Sequence, residues 1–273
     1  MPTPSPASGT ARHAHVADAQ YSLATIAAVW FIVTLPMATL AWIVVPWLVP
    51  HVALPAGIVF WLAMIAGMAW QFVVAVVLLR RERRHWNWPA LKERLWLQPP
   101  ALPGSGRRSH RPWLWVLPGI LFVALSSDLL GDTLDTPLHW LGARLPGLMP
   151  PAYTDIHALV SPAFAGRWYL LGIALCSNLF NYLLGETLLF HGVLLPKMEG
   201  VFGRRAWLAN AVIFGLYHLH KPLHLVSGII SNMAYSLPAQ RYRCLWLAVL
   251  IHGFEGLVVL GFTLWVVLGQ PAP

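Results

Sequence analysis

The sequence predicts an all-α fold, a polytopic transmembrane bundle of about seven apolar helices. Of its 273 residues, 58% are hydrophobic, whereas ordinary globular chains have about 45–50%. Only 10% are charged, although a typical soluble chain has about 25%. The hydrophobic residues also come in long unbroken runs, which excludes a soluble domain.

The apolar runs differ in length. A membrane-spanning helix needs about 20 apolar residues, so the first, second, fourth and last runs are long enough, and the third is slightly short. The fifth and sixth are shorter, as in buried bundle helices or a re-entrant hairpin, because irregular backbone is tolerated in a membrane only where protein covers it. The runs are Ser22–Val49, Val52–Leu79, Trp113–Leu130, Trp168–Leu195, Ala206–Leu219, Leu223–Leu237 and Cys244–Leu268.

The positive charge of the chain is concentrated in the loop 80–111. This loop holds nine basic and two acidic residues, and so carries +7 of the net charge of +8. Short loops rich in Lys and Arg stay in the cytoplasm, so the charge indicates membrane topology rather than nucleic-acid binding, and we expect no nucleic-acid partner. This orientation places the N-terminus in the cytoplasm.

The domain organisation follows from this pattern. We expect a disordered cytoplasmic tail at 1–21, an N-terminal transmembrane region at 22–130 that includes the basic loop, and an extracytoplasmic loop at 131–167. The region 168–268 then forms a second transmembrane domain. The two cysteines both lie within apolar runs, which indicates inert thiols within the membrane and neither a disulfide framework nor a Cys-rich metal site.

A few ionisable residues lie deep inside the apolar runs, namely Glu186, His191, His218, His252 and Glu255. Burying such groups in a membrane is costly, so each is a candidate functional residue. Helix rise places Glu186, His218 and His252 roughly 16, 20 and 14 Å from the basic residues at the cytoplasmic ends of their helices. Three ionisable groups on three helices are therefore expected at a similar depth, although one such residue taken alone is more often a partner in an interhelical hydrogen bond than a catalytic group.

Two chemical schemes fit one Glu and two His. In the first, the Glu and one His activate a water molecule, and the second His stabilises the oxyanion that forms. In the second, the same three side chains bind a divalent metal such as zinc, which holds the water. The residues alone do not separate these schemes. A proton-coupled transporter that uses Glu186 and Glu255 is a further alternative.

Three segments carry a family resemblance, in the order that the family shows. They are Gly185-Glu186-Thr187-Leu188-Leu189-Phe190-His191-Gly192, then Phe214-Gly215-Leu216-Tyr217-His218, then His252-Gly253-Phe254-Glu255-Gly256. They resemble the motifs Glu-Glu-x-x-x-Arg, Phe-x-x-x-His and His-x-x-x-Asn of the CAAX protease and bacteriocin-processing family (CPBP or Abi), which includes the type II CAAX prenyl endopeptidases. The resemblance implies that Glu186 and His218 activate water and that His252 helps to stabilise the oxyanion.

The sequence departs from the family pattern at three positions. Thr187 replaces the second Glu, His191 replaces the Arg and Gly256 stands where the Asn is expected. Gly256 removes an oxyanion donor, and the neighbouring carboxylate of Glu255 cannot replace it because it repels the developing negative charge. We therefore consider Asn210 and Asn232, on adjacent helices, as substitute amide donors.

The resemblance implies an intramembrane endopeptidase that hydrolyses peptide bonds of membrane-associated proteins. Its partners would be the lipid bilayer and a membrane-associated protein or peptide substrate, in a multi-pass protein of a prokaryotic plasma membrane. The departures leave a second interpretation open, in which a catalytically impaired relative acts as a membrane scaffold or immunity factor.

Overall fold

The computed structural model of this chain is an all-α helical bundle, as the sequence predicts. It describes residues 19–82 and 87–269. Within these ranges the only β contact is an isolated antiparallel bridge between Ala101 and Arg108. The predicted cytoplasmic tail lies outside the described residues except for its last three positions.

Helices account for most of the described chain, and several apolar ones include π-helical turns. Helix α1 continues through a π-helical turn at Leu40–Val44 to His51, and α4 continues as a π-helix to Leu129. The helices are α1 (Leu23–Thr39), α2 (Ala56–Glu82), α3 (Trp88–Arg94), α4 (Val116–Val123), α5 (Gly131–Leu134), α6 (Thr136–Arg144), α7 (Tyr169–Asn178), α8 (Leu195–Phe202), α9 (Ala206–Tyr217), α10 (Leu225–Tyr242) and α11 (Leu245–Val267).

Four helical stretches in the described ranges are long and apolar enough to cross a membrane, namely Leu23–His51, Ala56–Glu82, Tyr169–Tyr217 and Leu245–Val267. Each of them overlaps one of the four runs that are long enough in the sequence. Large apolar side chains on their outer surfaces, such as Phe31, Leu35 and Leu257, are exposed. Exposed apolar surface on such helices is what a lipid-embedded bundle requires, so the chain is an integral membrane protein.

Helices α9 and α10 form a tightly packed hairpin that lies against α11 and the α7–α8 segment. The carboxylate of Asp135 fixes the start of α10, because its Oδ1 accepts hydrogen bonds from the backbone N–H groups of Val226 at 2.9 Å and Ser227 at 3.2 Å. The hairpin thus places the end of α9, where His218 lies, beside the segment Thr187–Leu194 that follows Glu186.

Candidate active site

The helix that carries Glu186 is interrupted next to this residue. The chain is π-helical at Leu179–Leu184 and again at Thr187–Leu194, and Gly185 between them has φ −93° and ψ −92°. A methyl group at Gly185 would lie 2.7 Å from the backbone oxygen of Met68 on α2, and it would also meet the oxygen of Phe180. Only glycine permits this close approach, which fixes the position of Glu186 against α2.

Arg94 holds the π-helix that follows Glu186. Its guanidinium group donates to both carboxylate oxygens of Glu82 at 2.6 Å, and to the backbone oxygens of Gly192 at 3.2 Å and Val193 at 3.0 Å. The Tyr21 hydroxyl donates to the same carboxylate at 2.5 Å. In the sequence Arg94 is simply one charge of the basic loop, but in the structure it is a buried side chain that connects this loop to the Glu186 segment.

Glu186 and His218 line the same cavity. Glu186 is only 3% exposed, and the cavity has a volume of about 640 Å³. The polar side chains of Asn181 and Tyr182 line the same cavity. The carboxyl group is therefore shielded from bulk water and stands beside polar groups that can orient a reactant.

The hydrogen bond of His218 determines which ring nitrogen carries its proton. Its Nδ1 lies 2.9 Å from the carbonyl oxygen of Phe214, which can only accept. We therefore assign the proton of the neutral ring to Nδ1, so that Nε2 keeps its lone pair and can act as a base. The ring packs between Phe214 and Tyr217, each with a centroid distance of 4.8 Å.

His252 lines a second cavity of about 380 Å³, which His218 also lines. Its ring stacks on Tyr235 at 4.8 Å with an interplanar angle of 6°. The Nδ1 of His252 lies 3.0 Å from the Thr187 hydroxyl, and its Nε2 lies 3.8 Å from the Glu255 carboxylate. If Thr187 donates to Nδ1, the His252 proton is on Nε2, which lies on the Glu255 side.

The other three supporting residues form a separate buried network. His191 Nε2 lies 2.9 Å from the Ser236 hydroxyl, the amide of Asn210 donates to the same hydroxyl at 3.1 Å, and Ser236 donates to Asn232. None of these residues lines either cavity. The structure therefore does not bring Asn210 or Asn232 to Glu186 and His218.

Tyr182 occupies the space beside Gly256. A methyl group at Gly256 would lie 2.6 Å from Cδ2 of the Tyr182 ring, and the Asn178 amide donates to the Gly256 carbonyl at 2.8 Å. The same ring contacts His252 edge-on at 4.8 Å and lines both cavities. Sequence analysis missed Tyr182, because nothing in its local sequence distinguishes it from an ordinary apolar helix residue.

The three candidate ligands do not form a metal site in this arrangement. Among residues 19–82 and 87–269, no three His, Cys, Asp or Glu side chains come together as metal ligands. Glu186 lines only the first cavity and His252 only the second, with His218 between them. The geometry does not fit the zinc scheme, and we derive no step through a metal.

Comparison with known families agrees with the motifs. Residues 162–258 match the family model "Rce1-like: Type II CAAX prenyl endopeptidase Rce1-like". This stretch of the chain is Rce1-like. The match confirms the resemblance carried by the three motifs, and the Rce1-like stretch includes Glu186, His218 and His252. The family is a protease family, which supports hydrolase activity in general. No curated protein and no solved structure matches the chain.

Proposed function

We propose that this protein is an intramembrane endopeptidase that hydrolyses peptide bonds of membrane-associated proteins. The observation that carries the proposal is that Glu186 and the base-competent His218 line one buried cavity inside the Rce1-like stretch. A carboxylate and an imidazole at a shielded site can together take a proton from water, which makes the water a nucleophile.

The proposed reaction uses a single water molecule. Glu186 and His218 take its proton as its oxygen attacks the carbonyl carbon of the scissile bond, which forms a tetrahedral oxyanion. The carbon–nitrogen bond then breaks, and Glu186 passes the proton to the leaving amine. The second proton of the water leaves the new carboxyl group and ends on the amine, so the products are a carboxylate and a protonated amine and the step needs no other reactant.

Two donors are available for the oxyanion in this proposal. The first is the Nε2–H of His252, which Thr187 would hold in that tautomer through Nδ1. The second is the hydroxyl of Tyr182, whose ring fills the space beside Gly256. Tyr182 would then supply the hydrogen bond that an Asn supplies elsewhere in the family, which accounts for the missing amide at Gly256.

The test is cleavage of membrane peptides by the full-length chain in proteoliposomes. Glu186→Ala, His218→Ala and His252→Ala should each lower the rate by about 10²-fold or more. Glu93→Ala and His110→Ala, at exposed positions in the basic loop, should cleave like the parent. Parent-like cleavage by all three site variants would refute the proposal.

A catalytically impaired membrane scaffold or immunity factor is the second candidate. The glycine at position 256, which has no side-chain donor, favours it. In that case the parent cleaves no membrane peptide, and Glu186→Ala leaves the formation of its complexes unaffected.

A further inference from the structure

The exposed residues that line the first cavity, such as Asp155 and His157, lie at the opposite end of α2 from the basic loop. Gly57 and Tyr153, near the start of α2, line the cavity, whereas Glu82 at the end of α2 pairs with Arg94 of the basic loop. Helix rise places Gly57 and Glu82 about 38 Å apart, which is more than the hydrocarbon thickness of about 30 Å. With the basic loop in the cytoplasm, the cavity therefore opens on the extracytoplasmic face.

Much of the wall of this cavity is apolar and flexible. Four methionines line it, together with aromatic side chains such as Phe60. Methionine side chains are unbranched and flexible, so a wall built from them can accommodate apolar side chains of different shapes. These methionines are Met37, Met64, Met68 and Met149.

The polar groups of the cavity match a peptide better than a lipid chain. The side chains of Asn178 and Asn181 line it, and the Oδ1 atom of each is buried without a hydrogen-bond partner. These oxygens have almost no accessible surface, so they receive backbone N–H groups of an extended peptide only once the side chains turn into the cavity, whereas an acyl chain offers no such donors.

A positive charge stands where the two cavities meet. Lys221 is exposed and lines both cavities, and among the described residues its ammonium group makes no ion pair within 4 Å. The nearby carboxylate of Asp155 already accepts hydrogen bonds from the backbone N–H and the ring of His157, each at 2.8 Å. Lys221 is therefore placed to bind an incoming carboxylate.

We propose that the site takes an extended peptide from the extracytoplasmic face, with apolar side chains in the methionine-lined cavity and a carboxylate on Lys221. The inference rests on the proposed endopeptidase function, because it names the substrate class of the same site. Since Tyr182 and His218 line both cavities, the peptide continues past them from the first cavity into the second.

The first experiment locates the opening without using activity. Lys221→Cys and Lys92→Cys are made in the full-length chain with the exposed Cys176 changed to serine and the buried Cys244 retained. Intact cells are then treated with a membrane-impermeant maleimide. Lys221→Cys should be labelled, and Lys92→Cys, on the opposite face, only after permeabilisation. The reverse pattern, or labelling of both in intact cells, would overturn the inference.

The second experiment tests the ligand by binding to the Glu186→Gln variant in nanodiscs, so it needs no turnover. The probes are fluorescent leucine-rich peptides. One carries Asp and an amidated C-terminus, one Asn and an amidated C-terminus, and one Asn and a free C-terminus. A peptide with a carboxylate should bind about fivefold more tightly than the peptide with Asn and an amidated C-terminus. Comparing the other two peptides shows whether the carboxylate that binds is an Asp side chain or the C-terminus.

A further Lys221→Met substitution should abolish this preference, whereas Lys92→Met should retain it. Equal binding of all three peptides, a preference that survives Lys221→Met, or competition by myristate but not by an Asp peptide would overturn the proposal. Because binding is measured without cleavage, its failure is distinguishable from failure of the endopeptidase function, which the Glu186→Ala cleavage assay reports separately.

Discussion

Gly185→Ala tests whether the close approach of α2 positions the candidate catalytic carboxylate. The new methyl group would lie 2.7 Å from the backbone oxygen of Met68, whereas carbon–oxygen contacts in proteins are about 3.3–3.6 Å. The Gly185 backbone and α2 must therefore separate by at least about 0.6 Å, because the backbone carbonyl of Met68 cannot rotate away as a side chain can. Overpacking of this kind costs about 1–3 kcal/mol of stability.

The same displacement should affect catalysis. A misplacement of about 1 Å can cost about 10²-fold in rate, so we expect Gly185→Ala to lower peptide cleavage in proteoliposomes by about tenfold or more. Thermal unfolding in detergent should show the loss of stability. Gly172→Ala on the same helix is the matched control, because a methyl group there meets no atom within 4 Å. Equal stability and activity in the two variants would refute the reasoning.

Three further predictions concern the surrounding residues. Tyr182→Phe should fold normally but lower kcat by about 10²-fold, with KM little changed, if its hydroxyl binds the oxyanion; an unchanged kcat would assign the ring to packing alone. Arg94→Ala should lower stability by about 3–5 kcal/mol, because it leaves Glu82 as an unpaired buried charge. The double variant Arg94→Ala with Glu82→Gln should recover part of this loss in thermal unfolding. If it recovers none, the unpaired charge is not the cause. Burial acts to raise the pKa of Asp155, but hydrogen bonds from His157 outweigh it and lower the pKa. The ionised carboxylate of Asp155 therefore stabilises the folded state above the unfolded-state pKa of about 3.9, and this contribution to the free energy of unfolding is lost as pH falls through the lowered pKa. A stability difference between parent and Asp155→Asn that persists at the lowest pH would contradict this.

The helical bundle follows from the sequence because length and apolarity alone determine which segments can cross a membrane. The four longest runs, including Trp168–Leu195, correspond to the four candidate spans. The three motifs also place Glu186, His218 and His252 on separate helices, since their types and spacing are local features of the sequence.

The remaining features depend on contacts between distant segments. The role of Gly185 depends on a backbone oxygen of α2, and Tyr182 takes its place because position 256, far along the chain, has no side chain. Arg94 is indistinguishable in the sequence from other basic residues of its loop. In the structure it pairs with the buried carboxylate of Glu82 and donates hydrogen bonds to two backbone carbonyl groups of the π-helix that follows Glu186. Local pattern cannot identify such partners.

Asn210 and Asn232 are candidates from the sequence that the structure places away from both cavities. Their position on helices adjacent to the motifs makes them candidate oxyanion donors, but an adjacent helix does not define which way a side chain points. Both take part in hydrogen bonding around Ser236, away from either cavity. Their role as substitute donors therefore has no geometric support, whereas Tyr182 lines both cavities.

The most direct test of the central claim compares the parent with Glu186→Gln, each with and without a metal chelator, on one membrane peptide in proteoliposomes. Glutamine keeps the size of the side chain but cannot take a proton from water. The account predicts that the chelator leaves the parent active and that Glu186→Gln lowers cleavage by about 10²-fold or more. Loss of parent activity with the chelator, or parent-like cleavage by Glu186→Gln, would contradict it.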